Sequence, residues 1–142
     1  MVLIMKNEQH LSFIQNNISR MNQCSFQMKG WAITIVTALL TIFAMTFNEE
    51  GQGNNLYIFI AIAPTLLFWC LDSYYLSVER KFIDMYNDVI SENSNIIINE
   101  YEMPLKKYKS WKYCFFRAML SITEIALYGI IIGALILLGI FL

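Results

Sequence analysis

Glu124 is the residue whose position most invites chemistry. It is the one charged group in an apolar stretch from Ala118 to Leu142, seven positions beyond Arg117. An ionisable side chain at membrane depth marks a functional group or a buried pair. Three roles fit the sequence. Glu124 can line a polar pathway, pair with Arg117, or reach back towards the headgroups. Ser121, Glu124 and Tyr128 recur at three- and four-residue steps, so they share a helical face and form the candidate pore or gate. Ser121 and Thr123 can also hydrogen-bond across helices. Gly129 and Gly133 make a GxxxG step, a candidate packing face within one subunit or between subunits.

A second group of residues is basic. Lys106, Lys107, Lys109 and Lys112 are interleaved with Tyr108, Trp111 and Tyr113. Before an apolar span, this composition fits contact with anionic lipid. It also fits nucleic acid or nucleotide, with lysines on phosphates and rings on bases. Arg80 and Lys81 add to the candidate phosphate-binding set. Asp72, Glu79, Arg80, Asp84 and Asp88 can pair with one another at helical steps, or form a docking surface for a neighbouring subunit's N-terminal helix.

Catalytic motifs are missing. His10 is the only histidine and reads as a solvated helix residue. Cys24, Cys70 and Cys114 have no metal-like spacing and read as small packing residues. There is no Walker-type loop, HExxH or paired-cysteine motif. No enzyme activity, cofactor or metal is expected.

The elements that would position these groups are helical. The chain has 142 residues, 57% hydrophobic and only 15% charged. Soluble domains carry nearer a quarter charged residues. Trp31 to Phe47 makes a first span of roughly 25 Å, and Leu56 to Leu71 a second, with Pro64 kinking it. A third runs from about Phe115 to Leu142. Residues 7 to 29 read as an amphipathic helix with Leu11, Ile14, Ile18, Met21 and Met28 on its stripe; no proline interrupts the run into Trp31, so the helix can continue straight into the first span, with Gly30 its only possible hinge. Asn48 to Asn55 is a tight polar turn. A charged helix leaves the second span until Ser91 to Asn95 breaks it. Ile96 to Ile98 is a strand or a buried loop, and Pro104 opens a basic helical stretch. Met1 to Met5 is too short an apolar run for a secretory signal.

Orientation follows from charge. Lys6, Arg20 and Lys29 precede the first span, and the other seven basic residues lie between the second and third. The 48–55 connector carries only Glu49 and Glu50. The N-terminus and residues 72–113 therefore face the cytoplasm, and the C-terminus faces out, in a bacterial inner membrane.

Three blocks carry a family resemblance: FIQNNISRMNQCSFQMKGWAITIVTALL, FWCLDSYYLSVERKFIDMYNDV and MPLKKYKSWK. Together they resemble a group of small bacterial membrane proteins similar to the membrane effector of the Hailong anti-phage defence system. The resemblance covers most of the chain. It implies a homo-oligomeric, tetrameric ion channel. It further implies a partner nucleotidyltransferase whose short single-stranded DNA product binds the cytoplasmic side and keeps the channel shut. It assigns no DNA-contacting residues here; the basic set above is chosen by charge and side.

The expected fold is an all-α, oligomeric membrane protein with three transmembrane helices and cytoplasmic amphipathic helices. It divides into a cytoplasmic helix (1–29), a transmembrane hairpin (30–71), a cytoplasmic segment (72–113) and a third transmembrane helix (114–142). The expected function is a ligand-gated channel of bacterial defence, in contact with membrane lipid. The alternative is a non-conducting anchor or regulator that recruits a soluble partner.

Overall fold

The computed structural model describes residues 2–46, 53, 55–91, 98, 99 and 101–141, with side chains from residue 8 onward. Most of the 48–55 connector, and Ile96 and Ile97, lie outside the described residues.

All regular structure among the described residues is helical. Helix α1 (Val2–Met45) is unbroken, so Gly30 is no hinge. The whole first half of the hairpin and its charged extension form one rod of about 66 Å. Helix α2 (Leu56–Ile90) likewise runs through Pro64 as a single element. Three helices are long and apolar enough to cross a membrane: Glu8–Met45, Leu56–Ile90 and Ile122–Phe141.

α1 and α2 pack side by side along two layers. In the apolar layer, Val36, Phe43, Ile58, Ala61 and Leu135 are buried together. In the charged layer, Ile14, Phe82, Met85, Tyr108 and Tyr113 make a second core. Ile18 and Met21 pack against it from α1, as the stripe in residues 7–29 requires.

The basic segment departs from expectation. It is not a helix but two 3₁₀ turns, Leu105–Lys107 and Trp111–Tyr113. The reason is aromatic burial. Tyr108 and Tyr113 both enter the charged-layer core, with rings edge to face at 5.8 Å. Side chains five residues apart point about 140° apart on an α-helix and could not share that core.

The third span is also interrupted. Helix α3 (Phe115–Met119) ends at Leu120, and Ser121 is extended at ψ 144°. The chain resumes as α4 (Ile122–Glu124), a π turn (Ile125–Gly129) and α5 (Ile130–Phe141). Neighbours take up the groups at the break. Trp69 Nε1 donates to the Met119 carbonyl at 3.2 Å, and Arg80 Nη2 donates to Ser121 Oγ at 3.2 Å.

The GxxxG step makes no close helix approach within the chain. A Cβ at Gly133 would meet nothing within 4 Å, and one at Gly129 only its own helix's Ile125. Gly139 instead faces Ile58 and Phe59 of α2.

Candidate functional site

The border between the two layers holds a buried charged cluster. α1 brings Ser25 and Lys29 there, four residues and so one turn apart. α2 brings Asp72, the first charged residue after the apolar run 56–71. α4 and the π turn bring Glu124 and Tyr128. Asp72 is 0% exposed and Glu124 1%.

Lys29 is the hub. Its ammonium donates to Ser25 Oγ at 3.1 Å, to Glu124 Oε1 at 2.8 Å and to Asp72 Oδ2. Those three partners match the three donors of an ammonium group. Asp72 also accepts from Ser25 Oγ and, at 3.0 Å, from Tyr128 Oη. The Tyr128 ring stacks on Trp69 at 6.0 Å and 13°. One lysine thus faces two carboxylates. Glu124 Oε2 is buried without a hydrogen-bond partner.

This corrects the expectation for Glu124. It neither pairs with Arg117, which is exposed, nor reaches for headgroups. It joins a residue 95 positions away. The cluster also separates the candidate gate residues. Glu124 and Tyr128 turn into the subunit, while Ser121 sits at the helix break and accepts from Arg80. Asp72 is no surface residue. Sequence reading missed the roles of Lys29, Asp72 and Ser25. The available signal was Lys29 just before the first apolar run and Asp72 just after the second, which a helical hairpin brings to the same level.

The charged layer carries a second feature. A recess of about 450 Å3 is lined by Lys81, Lys109, Ser110 and Trp111, between Tyr108 and Tyr113. Trp111 is 70% exposed. Tyr108 donates to Asp88 Oδ2 at 2.8 Å, and burial followed by that carboxylate pushes its phenol well above the usual tyrosine range. Burial first, and Asp84 second, also pushes Tyr113 up. Both walls of the recess are therefore neutral phenols at physiological pH.

The other basic candidates are spread differently. Lys112 pairs with Asp84 at 2.7 Å, lies 5.0 Å from the Tyr113 ring centre, and has its pKa raised chiefly by that carboxylate. Asp84 thus pairs across elements rather than with Arg80 or Lys81. Lys107 lies 3.6 Å from Glu102. Lys106 is exposed on the first 3₁₀ turn. Arg80 is engaged with Ser121. Only Lys81 and Lys109 of the six line the recess.

Two smaller expectations also change. His10 is buried at 4% exposure, with Nε2 3.2 Å from the Glu102 carbonyl. It ties α1 to the loop before Pro104 instead of facing solvent. Cys70 is exposed on α2 and does not pack inside the bundle, while Cys24 and Cys114 are half-buried.

No family model, curated protein or solved structure matches this chain.

Proposed function

We propose that this chain is a membrane effector of bacterial anti-phage defence. It assembles as a homo-oligomeric ion channel in the inner membrane. A nucleotide or short single-stranded DNA on the cytoplasmic side gates it. The charge asymmetry of the sequence supports an orientation with the N-terminus and residues 72–113 inside the cell. The charged layer is then the cytoplasmic one.

The observation that carries this reading is the recess beside the third span. Lys81 and Lys109 supply two cations, and Trp111 supplies an exposed ring of the kind on which bases stack. The recess segment runs directly into α3 and the break at Leu120–Ser121. A ligand held there bears on the element that leads into the third span. Arg80, next in the chain to Lys81, bonds Ser121 at that break.

A second reading is favoured by one observation. Glu124 and Tyr128 are spent on contacts within the subunit. This suits a non-conducting anchor, whose spans need only hold together.

The test uses purified protein in liposomes loaded with an ion-sensitive dye. The channel reading expects flux from wild type. Flux should fall when a short oligodeoxynucleotide is added on the cytoplasmic face. Lys81→Glu with Lys109→Glu should conduct but ignore the oligonucleotide. No flux from protein shown to be inserted, with or without ligand, refutes the channel and leaves the anchor. Flux indifferent to nucleotides and oligonucleotides refutes the gating. Membrane potential in cells expressing the chain alone, wild type beside Glu124→Ala, gives the same division in vivo.

A further inference from the structure

With Glu124 and Tyr128 turned inward, the water path of the proposed channel needs another lining. The outward surfaces of the three spans differ. Within the apolar layer, α2 shows lipid only apolar groups, such as Leu56, Phe59, Leu66 and Leu67. α5 does the same with Ile130, Ile136, Leu137 and Ile140. α1 does not. Thr34, Thr37 and Thr41 are exposed there, and the exposed Arg20, Gln23 and Gln27 continue the line into the charged layer. With small residues at 30 and 44, they fall at alternating four- and three-residue steps.

That spacing is a period of 3.5 over about four heptads. On a straight helix of 3.6 residues per turn, such a stripe would drift about 20° per heptad. It keeps one heading only when helices cross slightly left-handed around a common axis. From residue 16, itself an exposed Asn, to residue 44 the stripe runs about 42 Å, through both layers. A partner that matches it needs the same length and period.

We infer that this stripe of α1 faces the same stripe of further copies of the chain around a shared axis, and lines the path there. The inference rests on the channel reading for its second clause. Around such an axis, equal residues meet at equal height. Glutamine faces glutamine and threonine faces threonine, and polar side chains hydrogen-bond across helices. In the single subunit the threonine hydroxyls donate only to their own helix: Thr34 to the Gly30 carbonyl at 2.9 Å, Thr37 to Ile33 at 2.7 Å and Thr41 to Thr37 at 2.9 Å. Each oxygen keeps acceptor capacity for water or a neighbouring copy.

The charged layer points to the same occupant. Phe26 is 76% exposed next to the stripe. It borders a groove of about 550 Å3 whose other walls are Gln15, Ile18, Ser19, Asn22 and Gln23, all from α1. An apolar ring so exposed beside a groove of its own helix suits a copy of α1 seated alongside. Arg20 stands in the stripe at its cytoplasmic end. A ring of Arg20 from several copies is self-repelling unless an anion sits in the mouth. This agrees in sign with an anionic gating ligand.

The test is cross-linking in native membranes, starting from Cys24→Ser, Cys70→Ser, Cys114→Ser. Single cysteines are added as Gln27→Cys, Thr34→Cys or Thr41→Cys. Ile35→Cys and Ile42→Cys are the off-stripe controls, apolar, half-buried and exposed respectively, on the flank away from Phe26. Copper-catalysed oxidation and a flexible bis-thiosulfonate should give several-fold more covalent oligomer at the stripe than at the controls. Equal or greater yield at the controls, or none at any position, overturns the inference. Membrane potential in the same strains reports the channel reading separately. Stripe cross-links without depolarisation would keep the shared axis and end the channel. Depolarisation with cross-links only at the controls would do the reverse. Should the cysteine-free chain not accumulate, Thr37→Trp and Ile42→Trp in the wild-type chain divide the matter. The first should change the subunit number seen by native mass spectrometry and the second should not. No change with Thr37→Trp overturns the inference.

Discussion

Replacing Lys29 with methionine should destabilise this protein more than any other single change at the layer border. Lys29→Met keeps the length and apolar stem of the side chain but removes the only cation that pairs with Asp72 and Glu124 among the described residues. Those carboxylates are 0% and 1% exposed, so water cannot replace the lost partner without opening the bundle. Breaking a buried ion pair from one side costs about 3–5 kcal/mol. Lys29 is itself only partly buried, with 25% of its side chain exposed, which places the expectation at the lower end of that range. The carboxylates should not behave alike. Asp72 accepts from Ser25, Lys29 and Tyr128, so Asp72→Asn turns an amide N–H towards donors and should cost roughly 2–3 kcal/mol. Glu124 has a single partner and an idle oxygen, so Glu124→Gln should cost about 1 kcal/mol or less. The decisive variant combines Lys29→Met, Asp72→Asn and Glu124→Gln. It removes all three charges, so no uncompensated ion remains, and it should recover most of the loss. The assay is reversible unfolding in mixed detergent micelles, followed by circular dichroism. A Lys29→Met protein within about 1 kcal/mol of wild type would refute the reasoning. So would a triple variant no more stable than Lys29→Met.

Other consequences are read in the same assay or by hydrogen exchange. Tyr128→Phe keeps the stack on Trp69 but loses the hydroxyl on Asp72, and should cost about 1–2 kcal/mol with the helix content unchanged. Trp69→Phe removes the donor to the Met119 carbonyl, and amides of 119–123 should exchange faster while those of α5 do not. The charged layer should loosen at alkaline pH. The Tyr108 and Lys112 pKa values are both raised by folding, so the folded state holds protons that the unfolded chain releases. Their contribution is fully present below about pH 10 and is lost as pH rises through the folded values. Exchange of residues 105–113 measured between neutral and alkaline pH should show this, and Tyr108→Phe should flatten it.

The three spans were legible because nothing else requires such long apolar runs. Glu124 was legible as an anomaly for the same reason. Its partner was not. Arg117 is near in sequence, but the break at Leu120–Ser121 turns the chain between them, and the cation that arrives comes from α1. Pairing across helices depends on which faces meet, and no local spacing encodes that. The break itself had a signal. Ser121-Ile122-Thr123-Glu124 has the Ser-x-x-Glu pattern that opens helices. The glutamate that would close such a box turns to Lys29 instead. The basic segment was misjudged because lysines and aromatics at mixed spacing fit a helix by composition. Burial of both Tyr108 and Tyr113 against α2 overrides that local preference. His10 was misjudged on the same ground, since its acceptor is a loop carbonyl 92 positions away.

The break has a mechanical meaning. α1 and α2 pass through both layers without interruption, so any shift of the charged layer travels along them as rigid rods. The third span does not pass through. It is joined to the charged layer by the short segment from Tyr108 to Met119 and held at the border by four side-chain hydrogen-bond links: Trp69 to Met119, Arg80 to Ser121, Asp72 to Tyr128, and Lys29 to Glu124. Three of those links come from α2 and one from α1. The border end of the third span can therefore shift against the other two by exchanging a few polar contacts, while Leu135 keeps α5 seated in the apolar core. The π turn at Ile125–Gly129 lies directly beyond Glu124, and single π turns inside α-helices recur at functional sites. A ligand at the recess would bias this equilibrium only by its differential affinity for the two arrangements. Lys81 lies on α2 and Lys109 on the linking segment, so their spacing changes when the segment moves against α2. A ligand that bridges the two lysines is sensitive to that change, whereas one held by either lysine alone is not.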